Sequence, residues 1–566
     1  MTKSSIEKNV TPKKPWHKRK RVWCGVMVIL LAYFCLVPSR TRISPETTGI
    51  TGPLTADGKV DYFAAFEKLY IDKLSPPEDN GLRYIIAALG PTILEQNALV
   101  EAVPWEEMPT HEQSKWWFEN RWLPLCEHLY IDPYKKPMFY DLRGFYGYMH
   151  QLKKKQKEAA GEGNFEDDDP DDQKLFDRLT SAPWKAEDEP VIAKWLEEYS
   201  PVLDYFAECV RKPNYACYRW QSGDLMAILL PDVQAHRDFA RSLQVRVAER
   251  VGRGDLDGAW QDVMTMKHLA CHYKGEFCFV INLVGIAVEG IANQSAQMIL
   301  TLGKPTEEQL SRFLRDLNNL PQPNSIALSL TMERMMAYQL LQLFKTGYAK
   351  EFYSSMKTVT GPNQEYLQTI MTLLYLPYDA NIAGERLTEL YGEFGLKDYV
   401  LDQHQVSNPV LLRRYLDRME EAGSKLNEKL KQTQLHRIPL IRTRSELLAE
   451  YLFAYMTWAW DGPCLAFSRI EAENEMLKLA LALEHAKLVR GAYPANLGEL
   501  VPTYFLMQPL DPYTGRMSFV YQPTPDGQHP FVLYSFGPDG KDDGGIPLEK
   551  AKPGSHYSDC DVVFWK

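Results

Sequence analysis

A chain of 566 residues with 45% hydrophobic and 24% charged content is too long for one ordinary core and too apolar for wholesale disorder, so two or three folded domains are expected. Its net charge of -10 is unevenly spread: residues 1–42 hold ten Lys/Arg against Glu7 alone, and the other 524 residues carry -19. An acidic body of that kind repels nucleic acid, which is excluded as a partner.

The basic end, residues 1–21, precedes an uncharged run. Val22 to Val37 reads VWCGVMVILLAYFCLV, which as a helix spans roughly 24 Å, near the lower limit for crossing a bilayer. Snorkelling by Arg21 and inclusion of Pro38 and Ser39 lengthen it, giving an expected transmembrane anchor over 22–39. Lys13, Lys14, Lys18, Arg19, Lys20 and Arg21 lie before it, and only Arg40 and Arg42 follow closely. The positive-inside rule therefore keeps the N-terminus cytosolic and exports the body. Val37-Pro38-Ser39 lacks the small-residue pattern of a signal-peptide cleavage site, so the anchor is expected to stay attached.

Residues 40–58 are rich in small, polar, Pro and Gly residues and predict a linker. A mainly α body, read as stacked helical hairpins, is expected over 59–464. Tyr62, Phe63, Phe66, Leu69 and Tyr70 fall on one side of a helix over Asp61–Leu74. The acidic run Glu166–Asp172 predicts a solvated loop. The clearest hairpin is Asp232–Tyr273: glycines at 252 and 254 stop its first helix, and Asp255 caps the second. Helices are also expected at Phe279–Leu302, Thr306–Leu317, Ser325–Phe344, Asn363–Leu376, Ile382–Phe394, Asn408–Gln434 and Ser468–Arg490. No fixed repeat period recurs. Strands are expected at Met517–Gln522 and Phe531–Ser535, joined by a turn containing Asp526-Gly527. The boundary of a C-terminal α+β module is placed at 465–566.

Catalytic motifs are absent. His268 and His272 have the four-residue spacing of a metal pair, but they share a helical phase with the polar Gln261 and Thr265, and no Glu follows His268. His111-Glu112 begins a zinc-protease motif that Lys115 breaks. Lys345-Thr346-Gly347 and Ser354-Ser355-Met356-Lys357 have the wrong order for a penicillin-binding enzyme. Trp116, Trp117, Trp122, Trp458 and Trp460 fit a core better than a sugar platform. Nine cysteines are too few for a disulfide scaffold. Cys209 and Cys217 flank a turn and either pair in an oxidising compartment or stay as buried thiols.

The segments LALALEHAKLVRGAYPANLGELVP, PLDPYTG and FVLYSFGPDGKDDGG, with the terminal Asp559-Cys560-Asp561 and Trp565, resemble the globular head of the major pseudopilin of bacterial type II secretion. The matching positions are Tyr493-Pro494, Leu497, Leu500, Asp511-Pro512-Tyr513 and Ser535 to Gly540. The resemblance covers about 100 residues. It implies a pseudopilin-head-like α+β fold holding calcium between its last two loops. Its ligands would be Asp539 and the carbonyl of Phe536, with Asp561 on the second position of the terminal acidic pair. Cys560 stands where the first acid belongs, so Asp559 is the substitute, and Asp543 adds oxygen to the cluster. The spacing is not that of an EF-hand, because Lys541 and Lys550 occupy two ligand positions. The anchor has no Glu within Val22–Val37, and about 430 residues separate it from the head, so pseudopilus assembly is not expected. The stretches PPEDNGLRYIIAALGP and GDLDGAWQDV resemble large uncharacterised bacterial membrane-anchored proteins.

Together these readings give an expected single-pass protein of the bacterial inner membrane, with its N-terminus cytosolic and its body periplasmic. Its expected role is a non-enzymatic scaffold or interaction protein of the envelope with a protein partner, and the head's resemblance implies a link to type II secretion. The alternative is an exported hydrolase whose site is assembled within the helical body.

Overall fold

Short polar signals set many of the helix ends. Thr306 and Gln309 form a reciprocal capping box at the start of one helix, and Asp255 accepts from the Gly258 amide at the start of another. A side chain at Gly258 would collide with the Asp255 carboxylate, which explains the glycine in the GDLDG sequence. Asn80 does similar work earlier. Its side chain accepts from the amides of Leu82 and Ala216 and donates to the Ala216 carbonyl. Beside it, Gly81 packs so closely on the Cys209 carbonyl that a Cβ would lie 2.0 Å away.

The computed structural model describes residues 40–70, 76–93, 104–112, 114–140, 142–160, 170–216, 225, 230, 232–321, 327–348, 350, 362–374, 378–393, 428, 441–458, 461–515, 517–524, 530–546 and 560–565. The expected anchor at 22–39, the helix at Asn408–Gln434, the Asp526-Gly527 turn, Cys217 and Asp559 lie outside them, apart from Glu428. The fold is mainly helical with one small antiparallel sheet. In chain order the principal helices are α1 (Tyr62–Tyr70), α2 (Gly81–Leu89), α3 (Leu123–Leu129), α4 (Phe145–Ala160), α5 (Pro170–Ser181), α6 (Pro190–Cys209), α7 (Asp232–Gly252) and α8 (Leu256–Tyr273). They continue with α9 (Phe279–Met298), α10 (Glu307–Asn318), α11 (Ala327–Phe344), α12 (Pro362–Leu374), α13 (Ala380–Glu393), α14 (Ile441–Trp458) and α15 (Asp461–Arg490).

The chain divides into two units. The first comprises Met1–Val60, Ala337–Glu393 and Ala422–Trp458. There α14 packs on α12 and α13, and the short turn Pro45–Thr48 lies on α13, where Gly384 leaves room for the Thr47 carbonyl. Arg386 reaches across to the buried Glu450, and the Ser445 hydroxyl accepts from the Asp379 amide.

The second unit comprises Asp61–Met336, Phe394–Glu421 and Ala459–Lys566. At its centre α7, α8 and α9 pack on one another, and α15 lies against α9 and α10. Arg246 of α7 is buried between Asp262 of α8, which it grips with two nitrogens, and Asp204 of α6. The stretch Phe279–Gly303 is long and apolar enough to cross a bilayer, yet most of its apolar window is buried in the protein, as befits a core helix.

The sheet is β1 (Val520–Pro523), β2 (Phe531–Ser535) and β3 (Val562–Trp565) in that order, with β2 central and antiparallel to both neighbours. Among the described residues α15 links it to the body: α15 contacts α9 and α10 and also β2, β3 and the turn Leu497–Leu500.

Candidate functional site

The head is organised around Asp511, which is fully buried. One carboxylate oxygen accepts from the Tyr513 amide at 2.9 Å, and the other accepts from the Ser535 hydroxyl and the Phe536 amide, each at 2.9 Å. Burial pushes its pKa up against those three donors. Asp511 thus ties the Asp-Pro-Tyr turn to the loop that follows β2. Gly537, at φ +68°, seats that loop on the Cys560 carbonyl, where a Cβ would sit 2.1 Å away. The loop after β2 and the chain at Cys560 are therefore neighbours.

Within this arrangement Asp561 is buried. One of its oxygens accepts from the Gly545 amide at 2.7 Å, and the other has no hydrogen-bond partner. Burial raises its pKa, opposed by the backbone N–H groups of Gly545, Asp543 and Ile546. Asp539 turns back on its own loop, accepting from the Lys541 amide at 3.0 Å and pairing with the Lys541 ammonium at 3.2 Å. Phe536 uses its amide on Asp511, and Asp559 lies outside the described residues. Among the described residues no three His, Cys, Asp or Glu side chains converge as a metal-holding group. The buried, half-satisfied Asp561 is the feature that suits a cation.

The body holds two buried polar clusters. In the first, the Lys267 ammonium of α8 lies 2.6 Å from the amide oxygens of Asn293 (α9) and Asn474 (α15), and 3.4 Å from Glu289. Lys274 pairs with the other Glu289 oxygen at 2.5 Å and with Glu471 of α15 at 3.2 Å. Burial works to raise the Glu289 pKa, but Lys274 and Lys267 overcome it and hold the carboxyl at about 2. Burial lowers the Lys267 pKa, with Glu289 opposing. In the second cluster His236 is enclosed by Tyr215 and Tyr273, whose hydroxyls lie 2.6 and 2.7 Å from its ring nitrogens, and Tyr273 also donates to Asp232 at 2.9 Å.

A cleft of about 500 Å³ opens beside α8 and α10, with His268 in its wall. Burial first, then Arg211 and His272, push the His268 pKa down to about 4. His268 makes no hydrogen bond among the described residues, so no carboxylate orients it as a general base requires. His272 instead lies 2.9 Å from the Val210 carbonyl, with its ring stacked on Tyr215. The two histidines that share a helical phase thus point to different surroundings, and Thr265 is fully buried rather than solvated. Trp117 and Trp122 belong to the core, whereas Trp116 is exposed. Cys209 is a buried, unbridged thiol.

Comparison with known protein families, with curated proteins and with solved structures finds no match.

Proposed function

We propose that this protein is a non-enzymatic, membrane-tethered interaction protein of the bacterial envelope. In this reading the segment 22–39 is the tether, the helical body is the mount, and the pseudopilin-like head is the docking surface for a protein partner. The observation that carries it is exposure on the head: Leu506 is 92% and Met507 81% exposed, the two most exposed large apolar side chains among the described residues, and Leu488, Val489, Leu510 and Met517 are about half exposed. Contiguous exposed apolar surface marks interaction sites. Two contacts bring them near one another. His485 bonds the Tyr504 hydroxyl at 2.8 Å beside the end of α15, and the Asp511 amide bonds the Met517 carbonyl at 2.8 Å.

The way α15 is held supports the same reading. Its early turns are tied to the body through Glu471 and Asn474, and its late turns to the head through Glu484–Tyr493 and Arg490–Glu499. A surface fixed at both ends loses little freedom when a partner binds. Photo-crosslinking from position 506 in intact cells tests the reading: a discrete protein adduct supports it, and none opposes it.

Calcium belongs to the same proposal. Asp539, Asp543, Asp559, Asp561 and the Phe536 carbonyl would hold it, and its chemistry would be to pin the two last loops together. The open oxygen of Asp561 supports this, while Asp539 would have to leave its lysine partner to take part. Full-length protein in detergent should melt at a higher temperature with millimolar calcium than with chelator, and Asp561→Asn should abolish the difference. A melting temperature indifferent to calcium would remove the metal from the account.

A further inference from the structure

The cleft beside α8 has charges that do not all cancel internally. Asp257 is occupied by Arg312 and by the Gln309 amide at 2.8 Å, and Asp316 accepts from the Trp260 indole at 3.1 Å. Arg211 follows α6 and donates to the Ala207 carbonyl at 2.9 Å, but it makes no ion pair among the described residues. Its field reaches His268, which burial and that neighbouring guanidinium keep uncharged at neutral pH. Among the described residues a guanidinium without an ion-pair partner therefore shares the cleft with a neutral imidazole able to donate one hydrogen bond. Met264 and Trp260, which stacks on Phe313 at 4.2 Å, bring apolar surface to this otherwise polar lining. The volume of about 500 Å³ suits a small organic molecule rather than a bare ion.

We propose that this cleft binds a carboxylate-bearing organic ligand, with its carboxylate on Arg211 and His268 and its apolar portion against Met264 and Trp260. A monoanion fits better than phosphate, because among the described residues one guanidinium lacks an ion-pair partner while Asp257 and Asp316 in the same wall repel a second negative charge. The carboxylate can belong to a free small acid or to the C-terminus of a peptide.

Full-length protein in detergent would be titrated by calorimetry with N-acetyl-leucine, its neutral amide, a blocked tetrapeptide ending in leucine as acid and as amide, and inorganic phosphate. Each acid that binds should do so about tenfold or more tightly than its amide. Arg211→Ala should bring acid and amide to the same level, with Arg211→Lys in between. Arg211 is exposed, so unchanged thermal melting of both variants is expected and would confirm that they fold. Binding of N-acetyl-leucine alone identifies a small-acid site, and binding of the tetrapeptide acid identifies a chain terminus. Equal binding of acid and amide, tighter binding of phosphate, no binding of any acid, or an acid preference that survives Arg211→Ala would each overturn the proposal.

Discussion

Asp511 and His268 show how the surroundings of one side chain decide its role. Asp511 is buried with three donors on its two oxygens, so removing the carboxylate strands three groups at once, two buried and the Phe536 amide half-buried. Each such group costs about 1–3 kcal/mol, so Asp511→Ala should destabilise the head by roughly 3 kcal/mol or more. Hydrogen exchange should show the loss in β2 and the loop after it, with α12 to α14 unaffected. The Asp-Pro-aromatic turn was visible in the sequence, but the carboxylate's reach to Ser535, 24 residues on, was not, because turn chemistry reports only near neighbours. His268 is the reverse case, a residue whose spacing advertised a metal pair and whose burial gives it something else. Its pKa of about 4 lies below the ordinary value of about 6.5. The unfolded chain therefore binds the proton first on acidification. The stability contributed by uncharged His268 is complete above about pH 6.5 and lost as pH falls through about 4. Histidine exchange followed by mass spectrometry should place its titration near 4, and Arg211→Ala should move it upward.

At the scale of elements, most helices were legible because their signals are local. The hairpin from Asp232 to Tyr273 has its stop at Gly252 and Gly254 and its cap at Asp255. Apolar periods placed α9 to α13 to within a few residues. Two features were missed for physical reasons. The helix α15 begins at Asp461 rather than Ser468, because a proline in a first turn is tolerated and gives no break. The strand β3 is only four residues long and draws its stability from pairing with β2 rather than from its own pattern. The polar clamp of Lys267, Glu289 and Asn474 was also illegible, since Asn474 lies 207 residues from Lys267 and no local rule connects them. That clamp joins α8, α9 and α15. Glu289→Ala would leave Lys267 and Lys274 buried without their shared carboxylate, a loss of about 3–5 kcal/mol, measurable by urea unfolding. With its pKa held at about 2, Glu289 contributes this stability above its ordinary titration range near 4.5 and loses it only as pH falls toward 2.

For the whole molecule, the proposal links a tether, a mount and a surface. The composition of 1–42 and of the acidic remainder is the ground for the proposed topology, while the exposure on which the proposed docking surface rests is seen only in the structure. Nothing in the string Tyr504-Phe505-Leu506-Met507 distinguishes outward apolar side chains from inward ones, because no helical or strand period runs through it. Since α15 is fixed to the body at one end and the head at the other, a partner held at Leu506 would be positioned by the body as well as bound. The most direct test is a photoreactive residue at 506, with a control at the exposed Glu187 on the body, irradiated in intact cells and resolved by mass spectrometry. A single protein adduct at 506, absent at 187 and lost when Met507 and Leu510 are both changed to Asp, is the predicted result. Adducts only to lipid, or equal labelling from both positions, would contradict the claim that the head is a protein-docking surface.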